Sequence, residues 1–133
     1  MKSRLSSVIA WICIGLVSAF NLFAAVMKFV PVEPGSKEAQ LMEKLGVVGM
    51  ERPLGVLEFI IIALYLIPRT STVGTVVMIG YLSGALATNL THGFGQSDVL
   101  PIYILFVLIM IGAWFRNPEL VSRLLKRPYP SKA

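Results

Sequence analysis

The chain is 133 residues long, 56% of them apolar and only 14% charged, with a mean hydropathy of +0.76. A soluble domain carries roughly 25% charged residues and at this length exposes a large polar surface, which these side chains are too few to cover. Disorder, a disulfide scaffold and an ordinary soluble enzyme are thereby excluded, and the net charge of +5 reports membrane orientation rather than nucleic-acid binding.

The length suits one domain, residues 1–133. Four apolar runs follow in order: residues 5–27, 54–67, 73–90 and 99–115. As helices the first two are about 34 and 21 Å long. The second lies between Pro53 and Pro68 and is short for a span, so Val47–Met50 or the polar 51–53 corner is expected to contribute to its outer end. None shows the period-two alternation of a barrel strand. The expected fold is all-α: a polytopic membrane protein with four transmembrane helices in an antiparallel bundle. The spans are about 5–27, 53–67, 72–91 and 99–116, with an outer amphipathic loop at 28–52 and a basic tail at 117–133. A cleaved signal peptide is the alternative for the first run, since Lys2 and Arg4 precede it and Val17-Ser18-Ala19 resembles a cleavage site. The run continues apolar to Met27, past the usual length of about 7–15 residues, so a retained helix is expected. The single cysteine, Cys13, lies inside this run and excludes an internal dithiol relay; it reads as a buried small hydrophobe.

Four spans put both termini on one side. That side holds Lys2, Arg4, Arg69, Arg116, Arg123, Lys126, Arg127 and Lys132. Opposite them, Lys28, Lys37, Lys44 and Arg52 are offset by Glu33, Glu38, Glu43 and Glu51. The positive-inside rule then puts both termini in the cytoplasm. Trp11 and Trp114 fall toward the cytoplasmic ends, where indoles anchor. In the first loop, Leu41, Met42 and Leu45 share one face of a short helix over residues 36–45, expected on the outer membrane surface or capping the bundle.

An ionisable side chain in a membrane helix is costly unless paired, so each is a functional candidate. Glu58 shares a stripe with Gly55, Ile62 and Tyr65; Ser18, Asn21, Ala25 and Lys28 form another; Gly80, Gly84, Thr88 and His92 form a third. Topology places Lys28 and His92 at outer helix ends, with Thr88 and Asn21 about 6 and 10 Å deeper. Glu58 lies about 7–8 Å below Pro53, and Tyr103 at similar depth. A ligand or proton site of Glu58, Asn21, Lys28, Thr88, His92 and Tyr103 in the outer half is therefore the candidate. The plain alternative is that Lys28 and His92 snorkel while Glu58 hydrogen-bonds a neighbouring helix. Gly80, Gly84 and Gly55 are expected helix-packing positions, the G-x-x-x-G at 80–84 suiting contact within the chain more than dimerisation. No metal site is expected, because His92 is the lone histidine and lacks partners. No phosphate loop, nucleophile–base pair or nucleic-acid pattern occurs, so the chain is not expected to be an enzyme on its own.

Three segments in order resemble the DoxX-like family of small four-helix membrane proteins. They are Phe23-Ala24-Ala25-Val26-Met27-Lys28-Phe29, then Leu54-Gly55-Val56-Leu57-Glu58, then Leu66-Ile67-Pro68-Arg69-Thr70 on through Gly74, Gly84-Ala85 and Thr91-His92. The resemblance runs from about residue 10 to 117. It implies a four-helix bundle in the cytoplasmic membrane with the Gly-x-x-Glu glutamate at Glu58, and with Lys28 and His92 as further family-like positions. Some relatives act with oxidoreductases of sulfur or oxidative-stress metabolism, including thiosulfate-to-quinone electron transfer, and others assist membrane-protein assembly. The lack of a second cysteine argues against a thiol-redox role. The leading expectation is an accessory subunit of a membrane redox system with a quinone-like ligand and an oxidoreductase partner. A non-catalytic interaction or assembly protein, homo-oligomeric or not, stands beside it, and a small proton-coupled transporter behind both.

Overall fold

The computed structural model describes residues 3–126, all helical or looped, in six α-helices and a short 3-10 turn. Helix α1 (Arg4–Met27) starts where Ser3 caps the backbone N–H of Ser6 at 3.1 Å, and it ends before the Pro31 and Pro34 loop. Helix α2 (Lys37–Leu45) is capped by Ser36 and stops at Gly46, whose φ of 71° suits glycine. Helix α3 (Glu51–Leu66) carries Pro53 in its first turn, where the missing N–H costs nothing, and ends where Pro68 holds Ile67 extended. The 3-10 turn Pro68–Thr70 leads directly into α4 (Ser71–Thr91). Helix α5 (Leu100–Arg116) breaks at Asn117, and Pro118 opens the short α6 (Pro118–Leu124).

Helix α1 packs against α3 and α5, and α4 packs against the same two helices. The core they enclose is built from Ile14 and Val17 of α1, Ile61 and Tyr65 of α3, Met78 of α4 and Ile109 of α5. Two glycines set the closest approaches. A Cβ on Gly55 would lie 2.6 Å from Phe29 Cε2 and 3.3 Å from the Ala25 carbonyl oxygen, so α1 and α3 meet there. A Cβ on Gly74 would lie 2.3 Å from the backbone at Leu64 and Tyr65, which is how α4 folds back tightly on α3. At Gly80 and Gly84 a Cβ would meet nothing within 4 Å. The close packing expected at these two positions is thus not made within the chain, because α4 turns that face outward.

The outward faces are apolar as well. Val8, Ile12, Leu16 and Phe23 of α1 and Ile104, Val107 and Met110 of α5 are all exposed large hydrophobics. A continuous surface of this kind is stable only against an apolar medium, so the chain has a membrane protein's exterior. By length and composition, α1 and the stretch Pro68–Thr91 each suffice to cross a membrane, and α5 with α6 forms a further candidate bent by 106°. Helix α3 has 16 residues and is about 24 Å long, short against a hydrocarbon core of about 30 Å. It begins at Glu51, so residues 51–53 join its N-terminal end and Val47–Met50 do not, and Pro68 stops it at Leu66.

Candidate functional site

The fold brings Lys28 and Glu58 together. Glu58 stands one turn after Gly55 on α3 and is 2% exposed; Lys28 caps the C-terminal end of α1 with its side chain 25% exposed. Because Gly55 lets Ala25 and Phe29 approach α3, the Lys28 ammonium reaches Glu58 Oε2 at 2.5 Å. It also donates to the Ala24 carbonyl oxygen at 3.3 Å. Tyr81 of α4 donates its hydroxyl to the same carboxylate oxygen at 3.2 Å. Phe29 and Phe59, the residues next to the pair, stack with ring centroids 5.7 Å apart. With the Glu58 carboxylate buried and Lys28 only partly exposed, the pair persists when both partners are present and further hydrogen bonds complete it, and Tyr81 with Ala24 supplies them. The cluster therefore ties three helices at one point.

Lys28 also lines a cavity of about 1180 Å³ between the end of α1, helix α2 and the start of α3. Its walls are mainly apolar, among them Val30, Val32, Leu41, Met42, Leu45 and Leu54, with Glu33, Glu38, Glu43, Glu51 and Arg52 interspersed. Helix α2 buries none of its residues. Its C-terminal end rests on the α4–α5 loop, where the Lys44 ammonium lies 4.0 Å from the centre of the Phe94 ring.

The other four candidates make hydrogen bonds elsewhere. Buried Asn21 donates to the Val17 carbonyl oxygen at 2.8 Å on its own helix. Thr88 donates to the Gly84 carbonyl oxygen at 2.8 Å. His92 is exposed and holds its Nδ1 2.8 Å from the Thr88 carbonyl oxygen, with its Nε2 facing Gly46. Tyr103 donates to Gln96 Oε1 at 2.8 Å, at the start of α5. Among the described residues, none of the four hydrogen-bonds to Lys28, Glu58 or Tyr81. Among the described residues no three His, Cys, Asp or Glu side chains converge as a metal site would require, and Cys13 is free and buried.

Two polar groups escaped the sequence reading. Tyr81 lies inside the G-x-x-x-G stretch, where attention falls on the glycines; a phenol in an apolar run was itself the signal, since a buried hydroxyl seeks a partner. The second group lies at the opposite end of the helices. Buried Asn117 donates through Nδ2 to Ser71 Oγ at 2.9 Å and to Thr72 Oγ1 at 3.2 Å. Arg116 donates from Nε to Asn117 Oδ1 at 3.2 Å, and its guanidinium carbon lies 4.5 Å from the centre of the Tyr65 ring. Ser71 reads as loop, Thr72 as the first residue of the third span and Asn117 as tail, so nothing in the spacing joins them.

The order of helices, the buried Gly-x-x-Glu glutamate and its lysine coincide with a match to the DoxX-like family over residues 12–113. The chain belongs to the DoxX-like family. No curated protein and no solved structure matches it. In this DoxX-like chain the matched region takes in α1 from Ile12 on, all of α2 to α4, and most of α5, so both Lys28–Glu58 and Tyr81 fall inside it.

Proposed function

We propose that this DoxX-like membrane protein is an accessory subunit of a membrane redox system, with a quinone-like ligand seated over Lys28 and Glu58. In this reading α1, α3, α4 and α5 cross the cytoplasmic membrane as an antiparallel bundle with both termini in the cytoplasm. Support for that topology comes from the neighbour contacts of the four helices, their outward apolar faces and the excess of Lys and Arg on one side. The observation that carries the ligand site is the partly exposed Lys28 ammonium on the wall of an apolar cavity of about 1180 Å³. A quinone headgroup supplies neutral carbonyl acceptors and a redox-active ring. Lys28 has ammonium protons beyond the one given to Glu58 and donates one to a carbonyl; Glu58 and Tyr81 hold the ammonium in place. The apolar walls from Val30 to Leu54 accept the ring and the first part of its tail.

Decylubiquinone titrated into detergent-purified protein tests this, with binding followed by isothermal titration calorimetry. Saturable binding is expected, weakened about tenfold or more in Lys28→Met, in line with loss of one charge-assisted hydrogen bond of roughly 1.5–3 kcal/mol. Binding that is unchanged in Lys28→Met, or absent from the wild type, sinks the ligand reading and leaves the pair as a structural tie.

The non-catalytic interaction or assembly reading is favoured by a different observation: Gly80, Ser83 and Gly84 are exposed on α4. Small residues facing outward in a membrane helix let a second helix approach closely. Site-specific crosslinking from Ser83→Cys in native membranes separates the outcomes, since adducts with one distinct membrane protein support this reading and lipid-only labelling rejects it.

A further inference from the structure

Helix α6 leaves the axis of α5 at 106°. If α5 crosses the bilayer, as the four-span reading has it, α6 runs along the membrane plane at its surface, and the inference below rests on that reading. The bend is fixed from one side. Asn117, 2% exposed, is bonded to Ser71 and Thr72 at the start of α4, and Thr72 donates to the Glu119 carboxylate. The only acidic side chain of α6 is thereby engaged toward the bundle. What α6 and its end present away from the bundle differs sharply: Leu124 is 74% exposed, Leu125 is 48% exposed, and Arg123 and Lys126 are exposed on either side of them. Among the described residues neither of these two cations has a carboxylate within ion-pair distance.

Two unburied leucines between two unpaired cations, at the C-terminal end of a helix that this reading lays along the membrane, form a surface that is apolar at its centre and positive at its margins. We propose that this surface docks on an anionic phospholipid leaflet. Leu124 and Leu125 enter the boundary between headgroups and acyl chains, and Arg123 and Lys126 meet lipid phosphates. Charge complementarity selects the occupant: a zwitterionic leaflet satisfies the leucines alone, and an anionic one satisfies both cations as well. The position serves the fold, because a lipid-anchored α6 holds Asn117 against α4.

The test reconstitutes the full chain into nanodiscs of phosphatidylcholine alone or mixed with phosphatidylglycerol. Tryptophan probes are placed at Leu124 and, separately, at Val107, in a background of Trp11→Phe and Trp114→Phe. The expected result is quenching of the Leu124→Trp probe by lipid brominated near the headgroup. After mild detergent extraction, phosphatidylglycerol should be enriched over phosphatidylcholine among retained lipids in the otherwise wild-type protein. Each cation is worth roughly fivefold near an anionic surface, so Arg123→Gln with Lys126→Gln should lower that enrichment by about tenfold or more. Enrichment that is equal in wild type and double variant overturns the proposal. So does a Leu124→Trp probe that is quenched by acrylamide but not by bromolipid, or one that is shielded only in native membranes, which would mean that a protein covers the site. The Val107→Trp probe separates the two layers of the argument. If deep-brominated lipid quenches it and the Leu124→Trp probe is untouched, the docking fails alone; if deep quenching is absent, the spanning reading of α5 fails with it.

Discussion

The two ends of the helices hold polar clusters of different kinds. At one end a single carboxylate, Glu58, takes a lysine and a tyrosine on one oxygen, beside an open cavity. At the other end the neutral amide of Asn117 gathers Ser71 and Thr72, and two opposite charges join the same network at its margin, Arg116 through Asn117 Oδ1 and Glu119 through the Thr72 hydroxyl. Both join helices across an apolar core, yet they fail differently. A network centred on an amide loses a bond at a time, whereas an ion pair that loses one partner leaves a bare charge. The difference teaches where function has room. The Glu58 cluster is open to a cavity through Lys28, and the Asn117 cluster is packed against the turn that Gly74 permits.

The comparison breaks most severely at Glu58. In Glu58→Ala the Lys28 ammonium loses its partner, and a cost of about 3–5 kcal/mol is expected, read as a large drop in thermal midpoint in detergent. The double variant Lys28→Met with Glu58→Leu should recover most of that loss, because no charge remains to be stranded; a double variant worse than the single would remove the ion-pair account. The glycines come next. Gly74→Ala places its methyl against backbone and is expected to cost about 1–3 kcal/mol or more. Gly55→Ala meets mainly the Phe29 ring, which can rotate aside, so a smaller loss is expected, but one that loosens Lys28 from Glu58. Equal melting of the two variants would erase this contrast between the ends. The smallest effects compare the loss of a hydrogen-bonded amide with the loss of one hydroxyl bond. Asn117→Ala should cost about 1–3 kcal/mol, since Ser71 and Thr75 lose a partner in a buried setting. Tyr81→Phe should cost only about 0.5–1.5 kcal/mol, since Lys28 still holds Glu58. Parallel melts of these two variants measure the difference, and a Tyr81→Phe loss as large as that of Glu58→Ala would make the phenol, not the lysine, the main partner.

Part of this was legible in the sequence. The bounds of the second apolar run at Pro53 and Pro68 follow from local chemistry, and α3 starts and stops beside them. Glu58 and Lys28 stood out because a charge in or beside an apolar run has to be explained. The six-residue constellation was built from stripes on single helices and from depth, and neither says which way a helix turns its stripe. Thr88 and Asn21 lie at suitable heights, but their side chains bond to carbonyls one turn back on their own helices. Such back-bonding is available to any threonine or asparagine in a helix, and spacing does not distinguish it from a bond across the core.

The sequence by itself determined the solvent this protein folds in, the places where its helices start and stop, and the glutamate that must find a partner. Those are properties of composition and of neighbours within a few residues. Tertiary structure alone decided that the partner is Lys28, that Tyr81 joins it, that Gly55 and Gly74 rather than Gly80 and Gly84 carry the close approaches, and that Asn117 reaches across to Ser71. The physical reason is rotational. A 3.6-residue period fixes which side chains share a face of one helix, but the angle at which that face meets its neighbours is set by the packing of all the helices together.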